Sequence, residues 1–186
     1  MGLRRKYSKA VSVRVATNDF CICAIALAIE KYPLMAGEFD GDHIQIANSI
    51  NVGLAVAAPQ GLVVPIVRDA NKKKLPQIAK ESSDFINKAK SNNLIPDDMI
   101  GAAITLTGLG MYGIESFIAV VSPCQCGILA MGRPTETIVP IDNDMVPRRL
   151  VSLTLAADHR IVNGDYAARF LKEIVDLLER PQSLIT

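Results

Sequence analysis

Asn51-Val52-Gly53-Leu54-Ala55-Val56-Ala57-Ala58, Pro59-Gln60-Gly61 and Leu62-Val63-Val64-Pro65-Ile66-Val67 read together as two extended apolar runs folded about a tight turn. Pro65 cannot donate to a strand ladder, so it belongs at a sheet edge or a bulge. Working upstream, His43-Ile44-Gln45-Ile46-Ala47 alternates and reads as a further strand. Before it, Thr17-Asn18-Asp19 is expected to cap a helix running from Phe20 to Tyr32, which Pro33 stops. That helix is apolar nearly all round and should be deeply buried.

Downstream, residues 74–92 place Leu75, Ile78, Ala79, Phe85, Ile86 and Ala89 on one stripe, which predicts an amphipathic helix covering a sheet. Residues 101–107 read as a strand that ends in the turn Gly108-Leu109-Gly110-Met111-Tyr112-Gly113. Short strands are expected near 119–122, 127–131 and 137–141, and the longest strand at 149–158. A last helix starts at Asn163-Gly164 and runs to Arg180 before Pro181. Hairpins with helices on one face imply an α+β fold, a two-layer sandwich.

The 186 residues fit one domain, and 49% of them are hydrophobic against 21% charged. A mean hydropathy of +0.25 excludes wholesale disorder. It also leaves apolar surface for a subunit interface. Twenty Lys+Arg against nineteen Asp+Glu give no global field that would point at nucleic acid or acidic lipid. Aromatic content of 5% without tryptophan offers no stacking platform for single strands. The longest apolar run is too short to span a bilayer, so no membrane partner is expected. Residues 1–14 are basic without an apolar core, which reads as a lead-in rather than an export signal. Reduced thiols in the cytoplasm, or in the mitochondrial matrix of a eukaryote, follow as the expectation. The cysteines form two C-x-C pairs, Cys21 with Cys23 and Cys124 with Cys126. Residues i and i+2 of a helix face different ways, so four buried small hydrophobes are favoured over a shared zinc site, and no metal is expected.

With two histidines in the chain, a histidine base must be His43 or His159. His43 follows a turn and reads as solvated. His159 stands where a long strand leaves the sheet, a place where a rigid element can aim a side chain into open space. The Gly108–Gly113 turn has G-x-G-x-x-G spacing, but no βαβ unit or downstream acid supports a dinucleotide site. A tight turn needing positive φ is the better reading. No nucleophile elbow, H-E-x-x-H or P-loop lysine is present.

Asp158-His159-Arg160-Ile161-Val162-Asn163-Gly164 resembles the D-H-R-x-x-D-G signature of the dihydrolipoamide acyltransferases, with Asn163 where that signature has Asp. The Asn51–Val56 and Gly61–Ala70 blocks, Thr105–Gly113 and Ser122–Gly132 are similar to the same family in order and spacing. The resemblance covers residues 11–184. It implies a two-layer sandwich similar to chloramphenicol acetyltransferase, a mixed sheet covered by helices. It also implies a homotrimer or a multiple of three, with the active site between subunits. The implied activity moves an acyl group, acetyl before others, between dihydrolipoamide and coenzyme A in a 2-oxoacid dehydrogenase complex such as pyruvate dehydrogenase. Coenzyme A is then a substrate, and the lipoyl group arrives on a separate domain. The implied partners are the 2-oxoacid decarboxylase and dihydrolipoamide dehydrogenase components.

A thiol with pKa near 8.5 needs a base at neutral pH, and the resemblance assigns that role to His159. It assigns the hydroxyl that meets the oxyanion to Thr107 and the loop-holding position to Asn163. Loss of the carboxylate at 163 is expected to lower basicity at His159. The catalytic domain is expected over 15–186, abbreviated at its N-terminus and without lipoyl or peripheral-subunit-binding domain. An alternative reading is a structural core subunit with weak or no activity. A chloramphenicol-type enzyme ranks below both, because the Gly61–Ala70 block and Asp158-His159-Arg160 look like the lipoamide enzymes.

Overall fold

A computed structural model describes residues 14–142 and 144–185; most of the basic lead-in lies outside them. Helix α1 (Thr17–Lys31) is central, and ten of its fifteen residues are buried. Thr17 is already helical. The capping carboxylate is Asp19 alone, whose Oδ2 accepts from the Ala16 N–H at 2.6 Å. This corrects the expected Thr17-Asn18-Asp19 cap: a carboxylate at the third helical position reaches back to the preceding amide, and the cap residue itself needs no side chain. Helix α2 (Leu75–Lys90) buries Leu75, Ile78, Ala79 and Ala89 as its stripe predicts. Helix α3 (Gly164–Glu179) buries Phe170 and Ile174. Among the described residues no helix is long and apolar enough to cross a membrane.

The strands are β1 (Gly37–Phe39), β2 (Ile44–Ile46), β3 (Val52–Leu54), β4 (Val56–Ala58), β5 (Gly61–Val63), β6 (Ile66–Val67), β7 (Ile104–Gly108), β8 (Gly127–Met131), β9 (Thr135–Ile141), β10 (Asp144–Leu150) and β11 (Leu153–Ala157). The main sheet has the order β11-β8-β7-β3-β6, with β3, β7 and β8 parallel and the two edge strands antiparallel. It is the expected mixed sheet with helices packed on it. The 51–67 stretch forms both a β4–β5 hairpin about Pro59-Gln60 and a β3–β6 pair. Pro65 lies between β5 and β6, outside any ladder, and its carbonyl accepts from Leu54.

Two strand expectations change. The 149–158 run is divided at Val151-Ser152: β10 pairs with β9 in a separate ribbon, whereas β11 joins the main sheet. At the division Gly132 N–H donates to Ser152 O, and Gly132 itself packs so closely on the Glu115 backbone that no side chain would fit there. Residues 119–122 form no strand and pair with none of the sheet strands. Ile118, just before this segment, and Val120 within it are left 81% and 89% exposed.

Alternation sorts the main sheet into two faces. Val52, Leu54, Ile104, Leu106 and Leu129 join the helices in one core. Thr105 and Thr107 therefore point to the other face.

Candidate active site

His159 sits on the turn that links β11 to α3. The turn is tightly made. Asp158 O accepts from the N–H groups of Ile161 and Val162, and Asp158 N donates to Cys126 O. Ile161 and Val162 are buried and anchor it, while His159 is exposed. Asn163 is the N-cap of α3, its Oδ1 accepting from Tyr166 N at 2.9 Å. That bond satisfies one orphan amide and fixes where the turn ends. Asn163→Ala is expected to cost about 1 kcal/mol of stability, and Asn163→Asp only a few tenths, in chemical denaturation.

Asp158 and Arg160 were legible as motif residues, but their job was not. Arg160 Nε reaches both Asp158 oxygens at 3.0 and 3.1 Å, and its Nη2 reaches Oδ2 at 2.6 Å. These bonds hold the Asp158 carboxyl below the usual carboxylate range.

Thr107 is half-buried near the C-terminal end of β7. Two residues earlier on the same face, the fully buried Thr105 donates to Gln125 Oε1 at 2.7 Å. The turn beyond behaves as its glycines predict: Gly113 has φ +80°, and an added Cβ at Gly110 would meet the 132–133 backbone at 3.0 Å. A single 3-10 turn follows, Gly110–Tyr112, not the helix a dinucleotide fold needs.

The chain does not bring Thr107 and His159 together. Thr107 is level with Ala130 on β8 and, through it, with Thr154 on β11. His159 lies five residues beyond Thr154, past the opposite end of the sheet, so the two are separated by roughly 15 Å or more. No reacting carbon can touch both side chains of one copy. His43 is exposed in the turn before β2, 3.8 Å from Asp40, and remote in role from either end.

The cysteines divide three to one. Burial pushes the Cys21 and Cys126 thiols up to about 12 and the Cys23 thiol to about 11, which keeps them as inert hydrophobes. Cys124 is exposed at φ 63°, correcting the expectation that all four are buried. Its position in a left-handed turn turns its side chain away from the core that its neighbour Cys126 enters. Among the described residues no three metal-ligating side chains come together.

A mixed sheet backed by helices, with a hydroxyl at one end and a histidine turn at the other, is a two-layer α+β fold of the chloramphenicol acetyltransferase type. A chloramphenicol acetyltransferase superposes with a TM-score of 0.57 at 16% identity, over 94% of this chain and 82% of that one, a likeness of fold alone. The chain itself belongs to the 2-oxoacid dehydrogenases acyltransferase (catalytic domain) family, which it matches over residues 1–186. Similar relatives include the dihydrolipoyllysine-residue acetyltransferase component of the pyruvate dehydrogenase complex of Rickettsia felis, 33% identical over 98% of this chain and 44% of that protein. The chain thus spans under half the length of the curated relatives it matches. Among solved structures, the dihydrolipoamide acetyltransferase (E2p) of Azotobacter vinelandii superposes with a TM-score of 0.90 at 28% identity, over 99% of this chain and 76% of that one. That structure belongs to an investigation of the catalytic roles of a serine, a histidine and an asparagine.

Proposed function

We propose that this chain is the catalytic core of an acetyltransferase that moves acetyl between dihydrolipoamide and coenzyme A in a 2-oxoacid dehydrogenase complex, with Thr107 and His159 of each site drawn from two copies. One correspondence carries the reading. In the Azotobacter enzyme the named histidine lies 52 positions after the named serine, and the named asparagine four positions later. Thr107, His159 and Asn163 stand at the same intervals, with threonine for serine. That enzyme's asparagine also removes the motive for treating Asn163 as a loss of function, and so disfavours an inactive core subunit.

The chemistry then follows from this chain's own residues. Neutral His159 takes the proton of the incoming thiol. The thiolate adds to the thioester carbonyl, and the Thr107 hydroxyl donates to the oxyanion that forms. Collapse expels the other thiol as thiolate, and the imidazolium returns the proton to it. No acyl-enzyme is needed. Asn163 contributes by holding the turn that aims His159.

The separation of Thr107 from His159 within one copy supports assembly. So does exposed apolar surface at Met111, Ile118, Val120 and Met145. A homotrimer, alone or in multiples, would close each site with a neighbour. The lipoyl group would come on a separate domain, and the decarboxylase and dihydrolipoamide dehydrogenase components would complete the complex in the cytoplasm or the mitochondrial matrix. Residues 15–186 would form the catalytic domain.

Co-expression tests the two-copy site directly. His159→Ala and Thr107→Val chains are each expected to be nearly inactive alone. Mixed at random in one assembly, about a quarter of the sites would pair an intact Thr107 with an intact His159. Recovery near that fraction in an acetyl-CoA and dihydrolipoamide assay is the expected result. No recovery in demonstrably mixed assemblies would overturn the two-copy site.

A further inference from the structure

We propose that Phe39, on the β1–β2 hairpin, is a positioning residue for His159, acting through the Arg160–Asp158 pair. The proposal rests on His159 being the base of the reaction above. Arg160 lies with its guanidinium 4.8 Å over the Phe39 ring centroid while it forks onto Asp158. His159 is the residue between those two. Its backbone is therefore spanned by a closed loop: the Asp158 carboxylate, the Arg160 side chain, and the Arg160 N–H, which also donates to Asp158 Oδ1 at 2.9 Å.

One face of this clasp needs support from outside the turn. The Arg160 side chain is 66% exposed and the Asp158 side chain 18%. An exposed arginine has several rotamers to choose from, and a fork on one carboxylate fixes only its tip. The aromatic face beneath it selects the planar, docked arrangement. Phe39 is itself held, packed against the core from its half-buried position. The hairpin touches the turn a second time at Gly37, two residues earlier on the same strand face. A Cβ there would stand 3.0 Å from Ile161 Cγ2. Strand β1 thus buttresses residues 160 and 161 at successive inward positions.

The clasp has a chemical consequence. Asp158 is the carboxylate nearest in sequence to the imidazole, and Arg160 occupies it. With the fork released, that carboxylate becomes free to pair with His159 and to favour imidazolium over the neutral base. The other ionisable groups about the turn are Asp165 in the first turn of α3, Cys126 at the edge of β8, and Glu38 with Cys124 on the outer side of β1. Cys126 stays a neutral thiol. None of these is held by the Arg160 fork; Asp158 is the carboxylate that its loss releases.

The chain's two histidines make the test direct. Diethyl pyrocarbonate reacts with neutral imidazole, and peptide mass spectrometry separates His159 from His43. His43, 65% exposed in the turn between β1 and β2, is the second imidazole read in the same samples. Reaction rate against pH is measured on the assembled parent, Phe39→Leu and Phe39→Tyr. Phe39→Leu is expected to move the His159 midpoint to higher pH and lower kcat by roughly 2- to 5-fold, with KM little changed. Phe39→Tyr keeps an aromatic face and should match the parent. If Phe39→Leu fails to fold, Arg160→Lys removes the planar fork instead and should give the same upward shift. Equal behaviour of Leu and Tyr at 39, or an unmoved His159 midpoint in the folded variants, overturns the proposal. A parent without transferase activity would defeat the functional reading, yet the imidazole titration would still report whether Phe39 acts on His159.

Discussion

Replacing His159 with alanine is expected to lower acyl transfer by about 10²–10⁴ while the fold and assembly persist. The side chain is exposed and makes no contribution to the core, so its removal should leave thermal stability within about 1 kcal/mol of the parent. The rate effect is large because the substrate thiol is mostly protonated at neutral pH, and thiolate is the attacking species. Removing the base should therefore hurt least at alkaline pH, where the thiol ionises without help. A rate profile for His159→Ala that converges on the parent as pH rises toward 9 is the signature to measure. Near-full activity of His159→Ala, with loss in His43→Ala, would reverse the assignment.

Thr107→Val is expected to reduce kcat by about 10²-fold, roughly 3 kcal/mol, with KM nearly unchanged. Valine keeps the β-branched shape that a strand position favours, so the change isolates the hydroxyl. The hydroxyl serves a charge that exists only after the thiolate has added, which is why the loss should fall on turnover rather than on binding. Thr107→Ser should retain most of the rate, since serine supplies the same donor. A pure rise in KM for Thr107→Val would mark the hydroxyl as a ground-state contact. The neighbouring Thr105 provides a contrast: its hydroxyl is already committed to Gln125 in a buried site, so Thr105→Val should act on stability first.

Both experiments probe residues singled out by the family resemblance, whereas several local features could be read from the chain directly. The stripe of Leu75, Ile78, Ala79 and Ala89 fixed the buried face of α2, because a period of 3.6 leaves one solution for a one-sided helix. Asn163 before an amphipathic run announced its own cap, since the side chain that starts a helix bonds within three residues. The strand-end settings of Thr107 and His159 were equally local. These features depend on neighbours a few positions away, and so the chain itself determined them.

What the tertiary structure decided involves partners distant in sequence. Ala119–Ser122 has strand composition but pairs with no strand in the fold, so composition alone did not make it one. The 149–158 run has the pattern of one strand, yet its two parts take different partners, β10 pairing with β9 and β11 with β8. Cys124 and Cys126 look alike in sequence, and a left-handed backbone at 124 sends only one of them inward. Phe39 offered no signal at all: it is one aromatic in a short strand, 121 residues from the arginine it supports. Above all, the pairing register put Thr107 and His159 at opposite ends of the sheet. The family resemblance names both residues as site candidates, but distance in space is set by which strands pair and in which direction. That is a property of long-range hydrogen bonding, and only the folded sheet contains it.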